Sequence, residues 1–523
     1  MTDPIQAAYD AAEARYKAAN PISASAHAVA AASLPGGNTR SVLHWSPYPL
    51  CIAHASGYTV RDVDGHEYVD LLGEYSAGIY GHSHPVLLSA LTETATKGLG
   101  YGGPHQAEAR LAGLIKERFE SIERIRFTNS GTEANLLAIA AAKAFTGRNR
   151  GKVLVFEGGY HGGLLVFPYG CRDVWMKGVG EEERGETKGK FEALRALNAP
   201  HDFLVATYND INSVDAVIAS PSATHNGQGQ GDDGTAAILL EPMLGSGGGV
   251  CATPSFLAHL RRRADEIGAL LIFDEVMTSR MHSGGGLQNC PQIQGETKMK
   301  VKPDITTLGK YIGGGMSFGA FGGREDVMAV FDPRKEGSLP HAGTFNNNVF
   351  TMNVGAKGLE EVFTREKARE LHGFGEEVRT RLNYLGERYG HNSDTGDGKV
   401  EGEGGKGRRK LRALGCGSIL SIHFTATEPK DISNPADWNK DEDTRLLDLF
   451  HLEMLNEGFY LARRGYIALN IMLLVEEGRR EMDRFADAVE RFLGKFGRLL
   501  RLSKGEGKVG NKGDEMDGIS WTE

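Results

Sequence analysis

The chain has 523 residues, of which 40% are hydrophobic and 24% charged, so it can bury more than one core and has the composition of a globular protein. A formal net charge of −9 excludes the clustered basic surface of a nucleic-acid-binding protein. The five cysteines, Cys51, Cys171, Cys251, Cys290 and Cys416, are odd in number and lack CxxC spacing, so neither a disulfide framework nor a zinc site is expected. The N-terminal twenty residues carry Asp3, Asp10 and Glu13 and no apolar core, and no stretch reaches the ~18 apolar residues of a membrane span. A cytoplasmic protein is expected.

In chain order, the segment at 34–72 has hairpin character around Asp64-Gly65. Near-continuous apolar runs then predict strands at 125–129, 152–158, 202–209, 236–242, 269–276 and 304–309. Amphipathic segments at 133–147 and 254–268 predict helices between them. This alternation implies an α/β fold with a mostly parallel sheet covered on both faces. After about residue 356 helices dominate, with strands expected at 417–424 and 466–470. The division expected is 1–90 contributing to a small α+β domain, 91–355 as the large domain, 356–500 completing the small one, and a disordered tail at 501–523. The segments 176–190, 220–235 and 390–410 are too polar and glycine-rich to bury apolar area and are expected as surface loops, the first a possible lid.

Three segments carry chemistry. In FTNSGTEAN a strand runs into Ser130-Gly131-Thr132 at the start of a helix, where free N–H groups, two hydroxyls and a bare glycine backbone suit a phosphate; an ordinary N-cap fits the same residues. In LLIFDEV, Asp274 ends a buried strand, where a carboxylate is costly without a cation beside it; capping of the next segment is the simpler alternative. In TTLGKYIGGG, Lys310 follows a strand and is flanked by glycine, leaving room for a bulky planar adduct on a nucleophilic amine, although a solvent-facing lysine on a turn fits equally. The spacing is not that of a phosphate-binding P-loop. Taken together, a phosphate cradle, a carboxylate for a pyridinium nitrogen and a lysine for an aldehyde are what pyridoxal phosphate requires.

FTNSGTEAN, VFEGGYHGG, ILLEPMLG, LLIFDEVMTSR, PDITTLGKYIGGGMSFGAFGG and HAGTFNNN resemble, in order and spacing, the class III aminotransferases, and the resemblance extends over about residues 33–495. It implies the pyridoxal-phosphate fold type I, with the cofactor passing through the pyridoxamine form. It also implies that Lys310 forms the Schiff base and shuttles the substrate proton, and that Asp274 pairs with the pyridine nitrogen. By the same likeness Tyr160 and Val276 flank the ring, Ser130, Gly131 and Thr132 form the phosphate cup, and His161 and Glu241 belong to the cofactor site. Thr344 would serve the phosphate of a neighbouring subunit, which makes the expected unit a homodimer.

LPGGNTRSV, DVDGHEYVDLLGEYSAGIYGHSHP and YLARRGYIAL are similar to a group containing glutamate-1-semialdehyde aminomutases and β-amino-acid transaminases. The mutases carry serine where this chain has Arg40 and glutamate where it has Ile467, so the transaminase branch is expected, with the mutase as alternative. A β-amino acid and a 2-oxo acid such as 2-oxoglutarate or pyruvate place their carboxylates differently relative to the reacting atom. Arginine forks are the natural clamps, and Arg40, Arg463 and Arg464 are the candidates.

Overall fold

The computed structural model describes residues 3–149, 151–172, 194–220, 234–295, 300–391 and 408–500. The segment 176–190, most of 220–235 and 390–410, and the tail from 501 lie outside the described residues. Contacts divide the chain into two units, one within 84–372 with 433–435, the other within 1–83, 373–432 and 436–521. These boundaries differ from the 90/91 and 355/356 read from sequence. The helix Val349–Lys357 packs on the helices Pro85–Lys97 and Gln106–Arg118, which keeps all three in the larger unit.

The larger unit is built on a seven-stranded sheet: β1 (Arg124–Thr128), β2 (Lys152–Phe156), β3 (Phe203–Ala206), β4 (Thr235–Leu240), β5 (Leu270–Asp274), β6 (Ile305–Gly309) and β7 (Gly319–Gly323). Their order is β1-β7-β6-β5-β4-β2-β3, and β7 alone runs antiparallel to its neighbours. Six strands therefore end on one edge, where parallel α/β sheets place their ligands. Strands β4 to β7 are buried at every position, as the unbroken apolar runs require. The sequence reading found six strands and missed β7. Its segment, GAFGG, has three glycines in five residues and little intrinsic strand preference. Those glycines are needed for space: a Cβ at Gly319 would overlap the Ser130 carbonyl, and one at Gly323 the Asp304 carbonyl.

Helix α1 (Gly131–Thr146) packs on β6 and β7 through Ala134, Ala138, Ala141 and Ala142, all fully buried. Small residues on the buried face of the helix let it approach the strands closely. Ser130 caps α1, its Oγ accepting from Glu133 N at 3.1 Å, and Gly147 in the left-handed region ends it. Helix α2 (Pro254–Ile267) lies against β4 and β5, capped by Thr253.

The smaller unit holds a four-stranded sheet, Ile52–Ser56, Thr59–Asp62, Glu67–Asp70 and Phe459–Tyr460. Its second and third strands form the hairpin around Gly65, whose φ of 97° only glycine adopts readily. A second sheet joins Lys410–Cys416, Ile419–Thr425 and Tyr466–Ala468, all antiparallel. After the first sheet the chain makes a left-handed turn over Gly73–Ser76, with φ of 52°, 47°, 51° and 76° in succession. Three of those four residues carry a Cβ, and such a run is sterically costly.

Candidate active site

Five strand ends deliver the expected residues to one edge of the large sheet: β1 leads to Ser130, β2 to Tyr160, β4 to Glu241, β5 to Asp274 and β6 to Lys310. Val276 stands between two of them. A Cβ on Gly131 would lie 2.9 Å from both Val276 methyls, and one on Gly309 would lie 3.0 Å from Val276 Cγ1. The Ser130–Thr132 segment, Val276 and the lysine strand therefore meet at a single point. Lys310 is half-buried and has a φ of 57°, a left-handed value uncommon for a residue with a side chain. Such a conformation in a residue with a side chain is often kept for function.

Asp274 is buried, and both oxygens of its carboxylate are engaged. Oδ2 accepts from Asn135 Nδ2 at 2.8 Å and lies 2.9 Å from His161 Nδ1, while Oδ1 accepts from Val276 N at 2.9 Å. Asn135 is itself fixed, donating to the His161 carbonyl at 3.0 Å and accepting from Thr307 Oγ1 at 2.7 Å. Contacts on both oxygens fix the direction of the carboxylate, as a partner for a ring nitrogen requires. Sequence reasoning missed Asn135 and Thr307. The available signal was a polar residue on the apolar face of α1 and two threonines inside a buried strand.

Tyr160 is half-buried, and its N–H donates to Glu241 Oε1 at 3.0 Å; Glu241 Oε2 accepts from Gly245 N at 3.0 Å. Glu241 thus grips two backbone segments. Desolvation pushes its carboxyl up to about 7. Glu275, beside Asp274 but unused in the sequence reading, is likewise raised to about 7 by burial, against hydrogen bonds from Thr278, Gln288 N and Leu287 N. Thr132 Oγ1 accepts from Gly163 N at 3.2 Å, tying the cup to the loop after Tyr160. Thr344 does not join this cluster. It is exposed, next to Phe345 at 65% exposure, although Asn346 of the same loop accepts from Asn129 at 2.9 Å.

The three arginines lie in the smaller unit and separate into two kinds. Arg463 is paired with Asp448 through Nε to Oδ1 and through Nη2 to Oδ2 at 2.7 Å, which holds its guanidinium charged and occupied. A clamp role does not suit it. Arg40 and Arg464 each place the guanidinium carbon 5.4 Å from the Tyr75 ring centre, and Nε and Nη1 of Arg464 are buried with no hydrogen-bond partner among the described residues.

The site fits pyridoxal phosphate: an oriented carboxylate for the ring nitrogen, a half-buried tyrosine and a valine for its faces, an α-helix N-terminus with hydroxyls for the phosphate, and a lysine at a strand end. These are the marks of a fold type I pyridoxal-phosphate enzyme. Residues 42–399 match the family described as Aminotransferase class-III, and the chain belongs to that family. It is 42% identical to a β-phenylalanine transaminase of Variovorax paradoxus over 93% of this chain and 96% of the relative. A glutamate-1-semialdehyde 2,1-aminomutase of Thermodesulfovibrio yellowstonii is 32% identical over 83% and 91%. Among solved structures, a β-phenylalanine aminotransferase from Variovorax paradoxus aligns with a TM-score of 0.78 at 40% identity, covering 95% of this chain and all of the other. A transaminase with pyridoxal phosphate bound aligns at 0.71 and 27%, covering 92% and 99%. The protein is a pyridoxal-phosphate-dependent transaminase.

Proposed function

We propose that this enzyme transfers the amino group of a β-amino acid to a 2-oxo acid such as 2-oxoglutarate or pyruvate. The observation that carries this is the pair Arg40 and Arg464, two guanidiniums for which no acidic partner lies within 4 Å among the described residues. The 42% identity to a β-phenylalanine transaminase supports the same choice. Ile467, fully buried in its strand, stands where the motif resemblance expects the glutamate of the mutases.

Bound at the strand edge, pyridoxal phosphate would carry the amino group and accept the electron pair released when the substrate's C–H bond breaks. Lys310 would hold the cofactor, and its Nζ, once freed by the substrate amine, would take the proton from the carbon bearing that amine and return it on the far side of the nitrogen. Asp274 would pair with the ring nitrogen, with Asn135 and His161 aiming its carboxylate. Tyr160 and Val276 would pack the ring between them, and Glu241 fixes Tyr160 through its backbone. Ser130, Gly131 and Thr132 would bind the phosphate. Arg40 and Arg464 orient the carboxylates of donor and acceptor in turn. Thr344, on its exposed loop, serves the phosphate of a second copy of the chain, which makes the working unit a homodimer. A cytoplasmic location is part of this reading and is supported by five thiols that are not in disulfides.

An amino-donor panel with and without 2-oxoglutarate tests the proposal. β-Amino acids should react only with an acceptor present. Conversion of glutamate 1-semialdehyde with no acceptor, with every β-amino acid inert, would assign the mutase activity instead.

A further inference from the structure

We infer that Tyr75, fixed on the left-handed turn Gly73–Ser76, is the residue that holds Arg40 and Arg464 as a prearranged pair and so sets the preference for substrates bearing carboxylates. The inference rests on the reading of those two arginines as carboxylate clamps.

The turn is built to place one ring. Asp70 Oδ1 accepts from Leu72 N at 2.9 Å and Gly73 N at 3.0 Å, and Asp70 Oδ2 lies 2.8 Å from His82 Nε2, which anchors the entry. Gly78 N closes the turn on Gly73 O at 2.9 Å. A Cβ on Gly73 would come within 2.6 Å of the Ala468 carbonyl oxygen, so the turn is pressed against the strand Tyr466–Ala468. Glu74, Tyr75 and Ser76 then hold left-handed values that residues with side chains avoid, and such strain persists only where the surroundings impose it. The result is an immobilised tyrosine. Its ring stacks on Tyr466 with centres 5.5 Å apart and planes 26° apart, and its hydroxyl donates to the Val42 carbonyl at 3.2 Å, two residues from Arg40.

Both guanidiniums use that ring. Arg40 and Arg464 each lie 5.4 Å from its centre, and Arg464 lies 5.7 Å from the Tyr466 ring as well. An aromatic face attracts a guanidinium without consuming its N–H donors, so the donors stay available to a carboxylate. Arg463 shows the contrast one residue away: a carboxylate partner, Asp448, takes its Nε and Nη2 donors. With aromatic partners in place of acids, the pair keeps two positive charges unneutralised. Its complement is therefore a carboxylic acid, and a short dicarboxylate should bind better than a monocarboxylate.

The test measures binding of succinate, an unreactive dicarboxylate, to the holoenzyme by calorimetry. Arg40→Ala and Arg464→Ala should each raise its Kd about tenfold or more. Tyr75→Leu, with both arginines intact, should raise it about three- to tenfold, and Tyr75→Phe should rescue most of that loss because the ring is what matters. If the arginine variants weaken succinate and Tyr75→Leu does not, the role of Tyr75 is overturned while the clamp reading stands. If neither arginine variant weakens it, the clamp reading falls and takes this inference with it. Should Tyr75→Leu fail to fold, pentafluorophenylalanine against phenylalanine at position 75 decides, since the two are nearly isosteric and only the electron-rich face is lost. Equal succinate affinity of those two proteins overturns the inference.

Discussion

Asp274 and Arg464 both carry charge into the protein, and the fold treats them in opposite ways. Asp274 receives hydrogen bonds on both oxygens from Asn135, His161 and Val276, and a further residue, Thr307, sits behind Asn135. Arg464 has two rings at its side and buried N–H groups with no hydrogen-bond partner among the described residues. A group whose partner never changes is best surrounded completely, because a fixed environment keeps its charge state and direction constant. Under the proposed clamp role, a group that receives two different acids in turn is best left with its donors free. The completeness of a residue's hydrogen bonding would then separate permanent tasks from exchangeable ones.

The permanent side breaks most sharply at Lys310. Lys310→Ala should lower turnover by on the order of 10⁴-fold with the fold intact, because the proton then has no carrier. Borohydride reduction of the wild-type holoenzyme followed by peptide mapping should find the phosphopyridoxyl group on Lys310, and a label on another lysine refutes the assignment. Next comes Asp274→Asn, which removes the charge but keeps the shape. Proton abstraction in single-turnover experiments should slow by about 10²-fold or more. A rate close to wild type would reduce Asp274 to a structural cap.

On the exchangeable side the effect is selective. Arg40→Ala should lower kcat/KM by roughly 10- to 100-fold for a carboxylate-bearing substrate, the worth of a charge-assisted bidentate pair. An amine without the acid should suffer far less, and an equal loss for both would show that Arg40 supports the fold and not the substrate.

The smallest effect expected is on stability. Burial raises Glu241 and Glu275 from the usual carboxylate range to about 7, so both bind protons more tightly in the folded state. Their stabilising contribution is complete below pH ~4.5 and fades as pH rises through about 7. Tm of the apoprotein should therefore fall more steeply from pH 5 to pH 8 in wild type than in Glu275→Gln, by about 2–4 °C over that span. Parallel Tm curves for the two proteins would contradict the raised carboxyl.

The sequence carried the parallel strands and the residues that end them, because unbroken apolar runs and the motifs around Ser130, Asp274 and Lys310 are local signals. It was silent where a property depends on what lies across space. Asn135 reads as one more polar residue in a helix until the fold brings Asp274 to it. Arg463 and Arg464 are neighbours in sequence, and only the directions of their side chains assign one to Asp448 and the other to Tyr75. The left-handed turn was hidden for another reason: Glu74, Tyr75 and Ser76 give no local hint of a backbone that glycine alone would adopt freely. Strand β7 escaped because its glycines speak for space, which no propensity records.

That strand has a consequence for how the protein tolerates change. β7 lies between β1, which leads to Ser130, and β6, which leads to Lys310, and carbonyl groups fill the places where side chains on Gly319, Gly322 and Gly323 would go. It behaves as a gauge whose thickness sets the distance from the Ser130 segment to Lys310. Any substitution there, however conservative chemically, widens that gap and displaces two functional segments together. Glycine codons mutate in one step only to residues that carry a Cβ, so at these three positions each missense change is a change of dimension.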